Sequence, residues 1–169
     1  MPINSRQKGA DFELEIADVL SQWWGEKVRR TPMSGGWSAE ATSGDITPVG
    51  PMREKFPWSV ECKKTEDWSF TDLLKLSEAM NGVYLHEHWL QCVRDCSKYN
   101  HNNPNTQRNP VLIFSANRQP KWVMLEYEYF GEIFEGDQPA SLLWPYLGSV
   151  KIILKLEEFL KGTSAAQFK

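Results

Sequence analysis

Gly44-Asp45-Ile46 and, thirteen residues further on, Val60-Glu61-Cys62-Lys63-Lys64 are the stretches whose reading decides the fold. Trp58 to Lys64 reads as a strand, because Trp58, Val60 and Cys62 alternate with Ser59, Glu61 and Lys63. Successive strand side chains point to opposite faces, so Glu61 and Lys63 share one face and the apolar set packs on the other. Asp45-Ile46-Thr47 is a second short run, set between the turn-formers Gly44 and Pro48. If the two runs pair through the connection that begins Pro48-Val49-Gly50-Pro51, Asp45 lies beside Glu61. Two carboxylates and an amine on one strand surface cost free energy unless a cation or a substrate compensates them. Asp and Glu supply the hard oxygens that a divalent metal takes.

Working outward, Ser5 to Trp24 carries Phe12, Ile16, Val19, Leu20 and Trp23 at helical spacing, with Asn4 or Ser5 as the cap. With Ala17 and Trp24 these positions form one apolar arc. Glu13 falls inside it, whereas Asp11, Glu15, Asp18 and Gln22 lie opposite. Such a carboxylate is either a partly exposed residue at the arc's edge or an acid aimed at the neighbouring sheet, and the pattern favours the second. Lys27–Thr31 reads as a first strand, and a loop from Met33-Ser34-Gly35-Gly36 runs to Ser43. After the motif, Ser69 caps a helix through Leu76 that ends at Asn81-Gly82. Tyr84–Tyr99 makes another, with Leu85, Trp89, Val93 and Cys96 on its apolar side and His88, Gln91 and Asp95 on its polar side. His101–Asn109 is a polar loop. Val111–Phe114 is a buried strand that turns through Asn117–Pro120 into Trp122–Leu125. Val150–Leu154 reads as an edge strand or as the start of a helix through Phe159.

The acid, the Glu-x-Lys and their spacing resemble the PD-(D/E)xK nuclease superfamily, with Asp45, Glu61 and Lys63 in the motif positions and Gly44 where proline is usual. Lys8-Gly9 followed by Glu13 resembles the opening of the archaeal-type Holliday junction resolvases, in which a Lys-Gly pair precedes the catalytic helix glutamate. Their Ser-Gly loop corresponds to Ser34-Gly35. The resemblance implies an α/β fold with a restriction-endonuclease-like αβββαβ core, a mixed central sheet flanked by helices. The core spans about residues 5–125 of a single domain, 1–160, with an unmatched extension over 126–160 and a flexible tail over 161–169. It implies Mg²⁺-dependent (Mn²⁺ substituting) hydrolysis of DNA phosphodiester bonds, at four-way junctions and by a homodimer. The alternatives are a restriction-like, nicking or repair nuclease, or an inactive DNA-binding module. The catalytic set it implies is Glu13, Ser34, Asp45, Glu61 and Lys63. Asp45, Glu61, the Cys62 carbonyl and Glu13 would be the metal ligands. Arg6, Lys8, Arg29, Arg30 and Lys64 stand near the motif, either as a solvated surface or as a rim for DNA phosphates.

Composition sets the outer bounds. A chain of 169 residues, 41% hydrophobic and 24% charged, is a soluble globular domain with a sizeable core. Eight tryptophans imply large packing surfaces and an interface. The net charge of −3 weighs mildly against a nucleic-acid binder. Five acids and no base fall within residues 126–137, away from the motif. No apolar run approaches membrane-spanning length, so the expectation is a cytoplasmic protein, at the nucleoid or in a phage-infected host cell. Three cysteines argue against a disulfide framework. His88, Cys92 and Cys96 share a helix face, but structural zinc sites favour knuckles, and the cysteines serve equally as small core residues. A zinc-protease histidine pair, a nucleophile elbow and a phosphate-cradling glycine loop are all absent from the sequence.

Overall fold

The computed structural model describes residues 5–31, 44–65, 84–146 and 148–169. Helix α1 (Ser5–Trp24) forms where the apolar arc is continuous, and Gly25, at φ +74°, ends it. Phe12, Ile16, Ala17, Leu20 and Trp24 are buried beneath it, while Val19 and Trp23 pack at the margin. Two three-residue strands follow, β1 (Val28–Arg30) and β2 (Ile46–Pro48), paired antiparallel with Arg29 opposite Thr47. Strand β3 (Trp58–Lys64) has the bounds that the alternation predicts. Helix α2 (Tyr84–Asn102) leads to β4 (Asn109–Ser115), which lies parallel to β3, and to β5 (Trp122–Glu126), antiparallel to β4. The chain ends with α3 (Tyr127–Ile133), β6 (Ser141–Tyr146), β7 (Ser149–Lys155), α4 (Leu156–Lys161) and a 3-10 turn at Ala165–Phe168.

The order β3-β4-β5-β7-β6 gives a mixed five-stranded sheet flanked by helices, the fold class the sequence predicts. Strand alternation builds two cores. Val111, Ile113, Val123, Leu125, Ile152 and Leu154 face α1, α3 and α4. Leu112, Phe114, Met124 and Ile153 face Leu85 and Trp89 of α2. The first core is anchored by aromatic rings: Trp58 stacks on Trp23 with centroids 4.2 Å apart and meets Phe159 at 5.2 Å. Such pairs add roughly 0.5–1.5 kcal/mol each beyond the area they bury.

Two expectations meet a different outcome. Of the two readings of Val150–Leu154 the strand holds and the helix does not, but the strand is not at the edge. It belongs to β7, which lies between β5 and β6, while α4 begins only after Lys155. A strand covered on both faces buries consecutive residues, here 151 to 154, and so shows no period-2 signature. Residues 126–160 therefore extend the same sheet. The last residues also differ from a loose tail: the Trp23 indole donates to the Thr163 carbonyl at 2.9 Å, and the Lys169 ammonium sits 4.7 Å above the Trp24 ring. The helix expected at Ser69–Gly82 and the loop bearing Ser34 lie outside the described residues. Among the described residues, no helix is long and apolar enough to cross a membrane.

Candidate active site at the open edge of β3

β3 is an edge strand, laddered to β4 on one side only. Its other side receives the chain that enters β2. Contact there is an isolated parallel bridge from Gly44 to Val60, not the paired run that the sequence suggests, since β2 is laddered to β1. The Asp45 amide donates to the Val60 carbonyl at 2.8 Å, and the Asp45 carbonyl accepts from the Thr31 amide at 2.8 Å. Asp45 is thus held by backbone from both sides. Gly44 makes the approach feasible. Its φ is +74°, and a Cβ there would lie 2.2 Å from the Val60 carbonyl oxygen. Proline, fixed near φ −65°, cannot occupy this position, which accounts for the departure from the usual motif.

The Asp45 side chain turns back to β3, where Oδ2 accepts from the Cys62 amide at 2.9 Å. The amide and carbonyl of one strand residue point to the same side, so the Cys62 carbonyl also faces this edge. Glu61 and Lys63 share the face toward α2, with Nζ 2.8 Å from Oε1. Among the described residues this ion pair is the contact that Oε1 makes. Glu13 approaches from α1, and its carboxylate is paired with the Arg30 guanidinium of β1.

Asp45 is 8% exposed and its carboxyl is pushed up to about 7, first by burial and then by the charge of Glu61, while the Cys62 amide pulls it down. Glu61 is raised as well, chiefly by burial, against the pull of Lys63 and with Asp95 and Glu13 adding repulsion. Two buried acids, both raised and one of them by the charge of the other, form a site short of positive charge. Hard oxygens, an under-partnered Glu61 Oε1 and a carbonyl at the same edge fit a divalent cation. Among the described residues, no three His, Cys, Asp or Glu side chains converge on one point. The fitting set is therefore Asp45, Glu61 and the Cys62 carbonyl, with Glu13 drawn toward Arg30.

The remaining residues separate. Arg6 is exposed and Lys8 half-buried in the first turns of α1, and Arg29 is exposed on the face of β1 opposite to Arg30. Lys64 donates to Ser115 Oγ at 3.1 Å and to the Ala116 carbonyl at 3.0 Å, and it lies 5.4 Å from the Phe12 ring. Burial lowers its pKa. Ser34 lies outside the described residues. Two α2 residues that were not singled out as site residues approach the site. His88 is lowered to about 4 by burial and then by the charge of Lys63, and Asp95 raises Glu61. The signal was present in the polar stripe His88, Gln91, Asp95, which borders the buried stripe of a helix that must cover a charged strand. Cys92 and Cys96 aim their sulfurs at the carbonyls of Ser59 (3.7 Å) and Arg108 (3.1 Å), as core residues do.

Residues 4–145 match the family described as "Phage putative PDDEXK endonuclease". Protein D14 of Escherichia phage T5 is 28% identical over 121 residues, a match covering 70% of this chain and 68% of D14. No solved structure gives a significant match.

Proposed function

The chain belongs to the phage PDDEXK endonuclease family, and from that premise we propose a divalent-metal-dependent DNA endonuclease that selects branched DNA, with the four-way junction as its substrate. The observation that carries the chemistry is the pair of buried carboxylates, both raised by burial, beside an ammonium at an open strand edge. Asp45, Glu61 and the Cys62 carbonyl would hold Mg²⁺, with Mn²⁺ able to substitute. When bound, a divalent cation supplies charge neutralisation at the scissile phosphate and acidification of water. Lys63 keeps its ammonium within reach of Glu61 and offers it to the phosphate as negative charge develops there. Glu13 orients the attacking water, and its pairing with Arg30 fixes its rotamer and leaves part of the guanidinium open to a phosphate. Ser34 is assigned a polar contact beside the same phosphate. Arg6, Lys8 and Arg29, with Lys64 as a charge set further back, form the rim that follows the backbone.

Selectivity for branched DNA rests on what that rim contains. Arginines and lysines read phosphate positions and hence shape, whereas base reading calls for bidentate side chains presented by an element inside a groove. Cutting two strands at symmetric positions requires two active sites, so the proposed working form is a homodimer. The test is a competition between a four-way junction and linear duplex of the same sequence at fixed salt, followed by mapping of the cuts. Preferential binding to the junction and paired nicks on opposing strands are the expected result. Equal cleavage of both substrates, or one defined cut in linear DNA, retains the chemistry and moves the protein to a restriction-like nuclease.

A further inference from the structure

Between the second half of α1 and α4 lies a cleft of about 640 Å³, lined by Trp23, Leu156 and Leu160 and by Lys121, Lys155 and Lys161. Its size falls in the range of built ligand sites, roughly 300–1,000 Å³. It is separate from the carboxylate cluster but linked to it. Lys121 pairs at 2.7 Å with Glu15, two residues from Glu13 on the same helix, and both charges reach Lys64 on β3. Along α1, Glu13 is about 9 Å from Val19 and about 15 Å from Trp23, at 1.5 Å per residue.

Charge points to the occupant. Lys64 ends β3, Lys121 precedes β5, and Lys155 ends β7 opposite Trp122, so three lysines line one end of the sheet. Glu126, Glu128, Glu132, Glu135 and Asp137 gather past the other end of β5. The sheet is thus polarised along its strands in a chain of net negative charge. Lys155 forms no ion pair among the described residues. Lys161 is paired at 2.7 Å with Glu157, which also lines the cleft, and at 3.3 Å with Glu158, but these side chains are exposed, and such pairs yield readily to a phosphate. Trp23 is held in place by its bond to Thr163 and its stacking on Trp58, so its ring is ready for a ligand without a cost in ordering.

We propose that this cleft is a second DNA subsite, which holds an unpaired nucleotide of the strand leaving the candidate active site. The base lies against Trp23, Leu156 and Leu160, and the flanking phosphates lie on Lys121, Lys155 and Lys161. A paired base cannot enter a cleft, so the ligand is single-stranded DNA, and aromatic contact combined with lysines is the arrangement such strands favour. The inference rests on the nuclease reading above, and the test keeps the two apart. Full-length Glu61→Gln protein, without metal, is titrated into fluorescein-labelled oligo(dT) across a range of salt, followed by anisotropy. The Lys155→Glu/Lys161→Glu pair added to that background should bind on the order of tenfold more weakly, and its salt slope should shrink by about 1.4, at 0.7 per phosphate contact. Lys155→Ala/Lys161→Ala, with thermal melts, serves if the reversed charges disturb folding. Unchanged affinity and slope overturn the cleft assignment. Should the unmodified protein cut no DNA with Mg²⁺ or Mn²⁺ while oligo(dT) binding still depends on these lysines, the cleft stands and the nuclease reading falls.

Discussion

The sheet carries two lysine–glutamate pairs, and they are buried the opposite way round. On β3 the Glu61 side chain is 3% exposed and Lys63 24%, at 2.8 Å. Between β7 and β5 it is Lys151 that is 3% exposed and Glu126 33%, at 3.3 Å, in direct cross-strand register. Among the described residues Lys151 pairs with a half-open acid, Glu126, and also bonds to the Ser149 hydroxyl. Among the described residues Glu61 pairs with one half-open base, Lys63, and has a second buried acid nearby in Asp45. The contact itself hardly distinguishes them. What separates a structural pair from a candidate site is which partner is buried and whether it has a neighbour of its own sign.

The sharpest way to break this contrast is to neutralise the acids of the first pair's surroundings. Asp45→Asn or Glu61→Gln should lower metal-dependent cleavage by at least about 10³-fold, the scale of losing a cation site. The protein should remain folded, because each change removes a repelling charge from a crowded site. Glu13→Gln should follow with a smaller loss, on the order of 10²-fold, since the proposal has Glu13 orient water and not hold the cation. Single-turnover assays with thermal melts check all three. Wild-type cleavage in Asp45→Asn or Glu61→Gln would move the chemistry elsewhere in the molecule.

A second test needs no substrate. Asp45 titrates near 4 when unfolded and at about 7 when folded, so between these values the folded protein binds more protons than the unfolded chain. Stability of the metal-free protein is therefore greatest below pH 4 on this account, falls as pH rises toward 7, and is flat above. The loss is on the order of 2–4 kcal/mol, or about 5–10 °C in Tm for a chain of this length. Glu61, raised in the same direction, adds to the slope. Melts in EDTA at pH 5 and pH 8 measure it. Mg²⁺ at pH 8 should recover part of the loss, and Asp45→Asn should flatten the difference. An equal slope in Asp45→Asn would show that the acid is not buried with a raised pKa.

How much of this was legible in the sequence varies with the range of the interaction. β3 was legible to the residue because alternation is a local property, and Glu13 stood out because one helix displays its own arc. The meeting of Asp45 with β3 was legible only as a conditional, and it arises through a single bridge that Gly44 alone permits. Arg30 as the partner of Glu13 was not legible, since nothing local joins residues seventeen apart on different elements. β6 was missed, and β7 was legible only as one of two alternatives and in the wrong place in the sheet, for a different reason. A strand covered on both faces carries no period, and its edge neighbour β6 includes Pro145, which reads as a breaker but is tolerated on an edge strand.

The smallest expected effect completes the contrast. If the second pair is structural, replacing it by uncharged residues of similar length should cost little. Lys151→Met with Glu126→Gln removes both charges together, so neither is left buried without a partner. Buried ion pairs exchanged in this way are often neutral or even stabilising, because the desolvation penalty disappears along with the attraction. Here the Met side chain would lie on the α2 face beside the apolar Ile153 and Trp144. The expected change is within about 1 kcal/mol in stability, with cleavage at the wild-type rate. Lys151→Met alone should do worse than the double change, since it leaves the Glu126 carboxylate facing an apolar side chain. Denaturant melts on the single and double variants, compared as a cycle, separate these contributions. A double variant that melts normally but cleaves poorly would mean that Lys151 acts on the site across the sheet. The burial contrast between the two pairs would then no longer distinguish site from scaffold.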